Sequence, residues 1–139
     1  PAGRDATVKV KYNAGREVRA GKRVVVVDDS IVRGTTTRGL VAMLRSAGAR
    51  EVHMRVSSPP ITGPCYYGID TPEKEHLIAA NMSIAEVGKA IGVDSLGYLT
   101  IEGMLGAVPG GPDGFCHACF SGQYPTQPPV DIKRYRSGV

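Results

Sequence analysis

Tryptophan is missing from this 139-residue chain, phenylalanine occurs twice and cysteine three times. So few cysteines, in an odd number, exclude the disulfide-dense secreted scaffold, which needs paired thiols to make up for a small core. Long apolar runs are missing as well. None approaches the ~20 residues that span a bilayer, so no membrane partner is expected. No charged and apolar leader of the secretory kind precedes the first strand-like stretch, and a cytoplasmic location is the expectation. The remaining composition, 42% hydrophobic and 22% charged, is that of an ordinary globular domain, and the length allows one. The chain opens on PAGRDATVKV, without a methionine, and reads as an interior stretch of a longer product.

Charge is uneven. Residues 1–23 carry seven basic and two acidic side chains, a net +5, while the other 116 residues sum to −1. Neither aromatic interleaving nor a nucleic-acid motif accompanies these charges, so DNA and RNA are not expected partners. A polyanionic small molecule and a plain solvated face both fit. Lys9 and Lys11 alternate with Val8, Val10 and Tyr12, which puts them on one face of a strand over Thr7–Tyr12. That face suits a pyrophosphate. A phosphate loop of the Walker type is excluded. Gly15 to Lys22 has one spacer residue too many, and Arg23 stands where the magnesium-binding hydroxyl belongs.

The richest stretch is VVVVDDSIVRGTTT, residues 24–37. Four successive valines predict a strand buried on both faces of a parallel sheet. It ends in Asp28 and Asp29, followed by Ser30, Arg33, Gly34 and Thr35 to Thr37, which lead into a helical pattern. In open α/β sheets ligands lie at the carboxyl ends of strands. A helix N-terminus there favours an anion such as phosphate. Thr35, Thr36 and Thr37 add hydroxyls, and Gly34 permits close backbone approach. Paired carboxylates repel phosphate and instead suit sugar hydroxyls or a magnesium ion. A sugar phosphate satisfies both halves, with its diol on Asp28 and Asp29 and its phosphate on Ser30 to Thr37.

Apolar spacing predicts a helix over Thr35 to Ala47, striped by Leu40, Val41, Leu44 and Ala47, and a strand over Glu51 to Ser57. A loop, SSPPITGPCYYGID, follows. Pro72 opens a helix over Glu73 to Ala80, and Ser83 with Glu86 forms a capping box for the next one. A strand is expected at Ser95 to Leu99 and a helix from Thr100 or Ile101 toward Val108. Ten of the 24 residues from Gly106 to Pro129 are Gly or Pro, so residues 106–139 read as an irregular tail behind a 1–105 α/β region.

Cys116 and Cys119 form a CxxC in that tail, a spacing shared by metal sites, redox pairs and inert pairs. Cys65 lies far off in sequence, and its bland reading is a buried thiol. His53, His76 and His117 form no pattern with a nucleophile, and Ser30, Ser57 and Ser58 lack the partners of a hydrolase.

The stretch GKRVVVVDDSIVRGTTTRG resembles the phosphoribosyl pyrophosphate (PRPP) motif of type I phosphoribosyltransferases. With SSPPITGPCYYGID and CHACFSGQYPT it is similar, from about Arg4 to Thr126, to one branch: the glutamine PRPP amidotransferases, which open purine synthesis. The resemblance implies part of a type I phosphoribosyltransferase fold, mainly a parallel sheet flanked by helices. It implies the C-terminal part of the transferase domain, with a glutaminase domain upstream and absent here. It implies an enzyme in which ammonia from glutamine replaces pyrophosphate on PRPP to give 5-phosphoribosylamine. PRPP would be bound by Asp28, Asp29, Ser30, Ile31, Val32, Arg33, Gly34, Thr35 and Thr36, and magnesium by Asp28 and Asp29. Many members carry a structural [4Fe–4S] cluster. Its ligands here would be Cys65, Cys116 and Cys119, with a fourth cysteine upstream. AMP and GMP would be inhibitory partners, and a homo-tetramer the assembly. The rival readings are a stand-alone phosphoribosyltransferase, a nucleotide-sensing domain without catalysis, and a zinc-stabilised interaction module.

Overall fold

The computed structural model describes residues 20–71 and 73–128. The strand expected at Thr7–Tyr12, with Lys9 and Lys11, and the helix start expected at Pro72 lie outside the described residues.

Strands β1 (Arg23–Asp28), β2 (Glu51–Val56) and β3 (Ser95–Tyr98) form one parallel sheet in that order. Arg23 lies opposite Glu51 and Asp28 opposite Val56. His53 lies opposite Ser95 and Val56 opposite Tyr98. Helix α1 (Thr35–Ser46) joins β1 to β2. A long loop, a 3₁₀ turn at Lys74–His76, α2 (Ile78–Asn81) and α3 (Ile84–Ile91) lead from β2 to β3. After β3 come α4 (Ile101–Gly106), a 3₁₀ turn at Gly111–Gly114 and α5 (Ala118–Ser121). Parallel neighbours need such crossovers because their ends lie at opposite edges of the sheet.

Helix α1 buries Leu40, Val41 and Leu44, three of the four stripe positions, against Val52 and Ala49. A second cluster joins Ile31, Met54, Val56 and Ile91, and Val26 and Val93 touch both. The core therefore lies on one face of the sheet, and this differs from the expectation for β1. Val24 and Val26 turn inward, but Val25 is 62% and Val27 71% exposed. Side chains alternate along a strand, and among the described residues no helix covers the second face.

The capping box at Ser83 is present. Its hydroxyl accepts from Glu86 N–H at 3.3 Å, and Glu86 Oε2 accepts from Ser83 N–H at 2.8 Å. The segment expected as one helix over 73–80 is instead broken. Leu77 takes an extended conformation, φ −83° and ψ 112°, between the 3₁₀ turn and α2, and it is fully buried. Burial of this one side chain outweighs helix propensity, which is worth only tenths of a kcal/mol per residue. Helix α4 stops at Gly106, short of Val108, and the tail holds the two short helical turns above in place of wholly irregular chain.

A one-sided core makes a testable contrast. In urea denaturation of this chain, Met54→Ala, at a position with no exposure, is expected to cost about 2–5 kcal/mol. Val27→Ala is expected within about 0.5 kcal/mol of the parent. Similar losses at the two positions would contradict the layering.

Candidate functional site

The acidic pair sits where β1 ends. Asp28 is half-buried and Asp29 exposed. The Asp28 carbonyl accepts from Ser57 N–H at 2.9 Å and from its hydroxyl at 3.3 Å, which ties the end of β1 to the end of β2. Asp28 Oδ1 accepts from Asp29 N–H at 3.0 Å, and Asp29 Oδ1 accepts from Ser30 N–H at 2.6 Å. These bonds leave one oxygen of each carboxylate for a ligand. Among the described residues every ion pair goes to Glu51 or Asp94, and none reaches Asp28 or Asp29. Two uncompensated carboxylates side by side repel each other, and a cation or a set of hydroxyls relieves this.

The loop beyond turns through Gly34, at φ 75° and ψ −4°, directly into α1. An added Cβ would lie 2.9 Å from Ile78 Cδ1 and 3.3 Å from Ile91 Cγ2. The left-handed backbone is what requires glycine here, and the missing Cβ lets the Ile78 and Ile91 side chains pack close. The sequence reading gave Gly34 closeness to a ligand, and the structure gives it closeness to the core.

The first turn of α1 has no side-chain cap and no acidic residue. The first bond that closes the helix runs from Arg38 N–H to the Gly34 carbonyl, at 2.9 Å. The N–H groups ahead of it have no partner within the helix. Thr35 and Thr36 are exposed beside them, so backbone N–H groups, hydroxyls and the positive end of the helix dipole converge. Thr37 departs from the expected trio: it is 4% exposed and faces the core. Ile31, 2% exposed, is also a core residue, so only its main chain is available to a ligand. Val32 is half-buried and Arg33 exposed.

Cys65 lies far from Cys116 and Cys119 in sequence, yet the fold brings it near them. Thr62 and Gly63 N–H donate to the Cys119 carbonyl, both at 3.0 Å. Tyr124 Oη donates to the Pro64 carbonyl at 2.8 Å, across Gly63, where an added Cβ would strike that hydroxyl. These bonds clip the CxxC tail to the proline-rich loop. Cys65 N–H donates to Thr71 Oγ1 at 2.6 Å. Burial, and the Cys65 and Cys116 thiols beside it, push the Cys119 thiol above its ordinary value. All three are free thiols. Among the described residues no three His, Cys, Asp or Glu side chains are arranged around a single metal ion. His117 faces Ser121, with Nδ1 and Oγ 3.0 Å apart. An iron–sulfur cluster takes four thiolates, so the residues here fit that group in part, with three.

Sequence reading missed Ile78, whose N–H donates to the Val32 carbonyl at 2.9 Å, and Asn81. The Asn81 amide donates to the carbonyls of Lys74, Glu75 and Leu77, at 3.1, 3.2 and 2.9 Å. Neither residue stands in a motif. It also missed a polar set on the open sheet face, where His53 bridges Ser95 Oγ at 2.8 Å and Glu51 Oε2 at 3.0 Å. Bonds from His53 and Arg23 hold the Glu51 carboxyl below its ordinary range. The strand register that sets His53 opposite Ser95 was the available signal.

No protein-family model matches the chain. It is 56% identical over 131 residues to the amidophosphoribosyltransferase of Synechococcus elongatus, covering 94% of this chain and 27% of that protein. The amidophosphoribosyltransferase of Archaeoglobus fulgidus is 53% identical over 128 residues, 91% of this chain and 28% of that one. Among solved structures, glutamine PRPP amidotransferase from B. subtilis, complexed with ADP and GMP, superposes with a TM-score of 0.74 at 54% identity. That match covers 82% of this chain and 26% of the other. A structure described as the allosteric regulatory enzyme of purine biosynthesis gives 0.76 at 53%, over 84% and 26%. The chain spans about a quarter of the length of the curated relatives it matches. Its parallel sheet flanked by helices is the type I phosphoribosyltransferase fold of those structures. Among the described residues no helix is long and apolar enough to cross a membrane.

The contrast among the thiols is testable by timed iodoacetamide alkylation mapped by mass spectrometry. Exposed Cys116 is expected to react first. Cys119, half-buried and raised, is expected to react more slowly at pH 8 and to speed up as pH rises further. Equal rates at pH 8 would contradict the packing of the tail.

Proposed function

Because the chain belongs with the amidophosphoribosyltransferases over the quarter of their length that it spans, we propose that it is the part of such an enzyme that holds the ribose 5-phosphate of PRPP. It corresponds to the C-terminal part of the transferase domain. The observation that carries this reading is the juxtaposition at the end of β1. An acidic pair without ion pairs among the described residues stands beside an uncapped helix start bearing Thr35 and Thr36.

The 5-phosphate lies on the N–H groups and hydroxyls between Ser30 and Thr36. Arg33 is the cation of that loop, and Ile31, Val32 and Gly34 contribute main chain alone. The ribose hydroxyls donate to the remaining carboxylate oxygens of Asp28 and Asp29. Holding both ends of the sugar fixes C1, where ammonia derived from glutamine displaces pyrophosphate. The barrier falls through positioning and charge balance, with little covalent work by these residues. Asp28 and Asp29 would hold a magnesium ion, which when bound would help neutralise the pyrophosphate charge. Cys65, Cys116 and Cys119 would be three ligands of a [4Fe–4S] cluster, which when bound would pin the tail.

The B. subtilis relative was solved with ADP and GMP. The same phosphate loop here takes the phosphate of a purine nucleotide such as AMP or GMP, in competition with PRPP. The PCYYGID loop and the clipped CxxC tail have no place in a stand-alone phosphoribosyltransferase.

In the intact protein, Asp28→Asn with Asp29→Asn is expected to abolish PRPP binding by calorimetry and to leave the circular dichroism spectrum unchanged. An affinity equal to the parent's would overturn the assignment.

A further inference from the structure

The phosphate loop is held from behind by α2, through a main-chain bond and side-chain packing. Ile78 is the first residue of α2, so its N–H is one of the donors that a helix cannot use internally. It donates to the Val32 carbonyl at 2.9 Å. A trans peptide points its C=O and N–H in opposite directions. Anchoring the Val32 carbonyl on α2 therefore turns the Arg33 N–H the other way, toward the side where Arg33 is exposed. No backbone bond among the described residues uses that N–H. The Ile78 side chain reinforces the hold by filling the space that Gly34 leaves open. Ile31, at the start of the loop, packs in the same cluster.

What places Ile78 is Asn81. Its amide donates to three carbonyls of the preceding turn, including that of buried Leu77. The chain therefore leaves the 3₁₀ turn extended at Leu77 and re-enters a helix at Ile78 with its N–H aimed at the loop.

We propose that Ile78 is a positioning residue for phosphate recognition: its amide orients the Val32–Arg33 peptide so that the Arg33 N–H becomes a phosphate donor. This rests on the reading of the loop as a ribose 5-phosphate site. Asn81 is the positioning residue one step further back. Neither touches the phosphate itself.

Proline separates the amide from the side chain. Ile78 is the first helical position, where proline is tolerated, and Leu77 is extended, as a residue before proline prefers. Ile78→Pro replaces the donor with a methylene. Ile78→Ala keeps the donor and loses at least as much side-chain bulk. Calorimetry with ribose 5-phosphate on the intact protein, alongside thermal melting, reads the difference. Ile78→Pro is expected to bind at least tenfold more weakly than Ile78→Ala at a temperature where both are folded. Equal affinities in the two variants would overturn this inference alone. No binding by the parent would overturn the reading of the site and this inference with it. Should Ile78→Pro not fold, Asn81→Ala takes its place, with an expected threefold or greater loss of affinity. An unchanged affinity there would overturn the inference as well.

Discussion

A chain that must pass from a strand covered on one face to a helix within six residues has few ways to do it, and here the passage depends on Gly34. Its left-handed backbone turns the loop, and its missing Cβ lets Ile78 and Ile91 close underneath. Any other residue would strain that left-handed turn and push on the Ile78 and Ile91 side chains beneath it. Two requirements that look separate are thus one constraint. The loop is seated on the core by its apolar residues, and so its N–H groups and Thr35 and Thr36 face outward together.

Around that seat the polar groups divide cleanly. The acid pair at the end of β1 uses one oxygen of each carboxylate to brace the loop's own N–H groups and leaves the other. The helix start beyond contributes N–H groups without a cap. Ser57 ties the end of β2 to Asp28, so the proline-rich loop begins at the edge of the site. The far part of that loop is clipped to the CxxC tail through Cys119 and Tyr124. The anionic half and the thiol-bearing half of the domain are therefore two ends of one stretch of chain.

Much of this was legible in the sequence, and the reasons are local. The valine run, the acids, the glycine and the threonines lie within fourteen consecutive residues, and strand-to-helix geometry converts that order directly into a site. The capping box at Ser83 is equally local. What escaped depends on distant packing. Leu77 breaks a helix because the core has a place for it. Thr37 and Ile31 turn inward because the loop is seated on α2 and α3. Val25 and Val27 read as buried because a run of valines carries no mark of which face is covered. Ile78 and Asn81 act through a main-chain donor and a side-chain cap on carbonyls, which no motif encodes.

The central claim is that the loop from Asp28 to Thr36 receives a sugar phosphate, and an ¹⁵N-resolved NMR titration with ribose 5-phosphate addresses it most directly. The predicted result is that the largest amide shifts fall on Arg33 to Thr36, with Ser30 beside them, and saturate together. Shifts confined to other segments, or none at millimolar ligand, would contradict it.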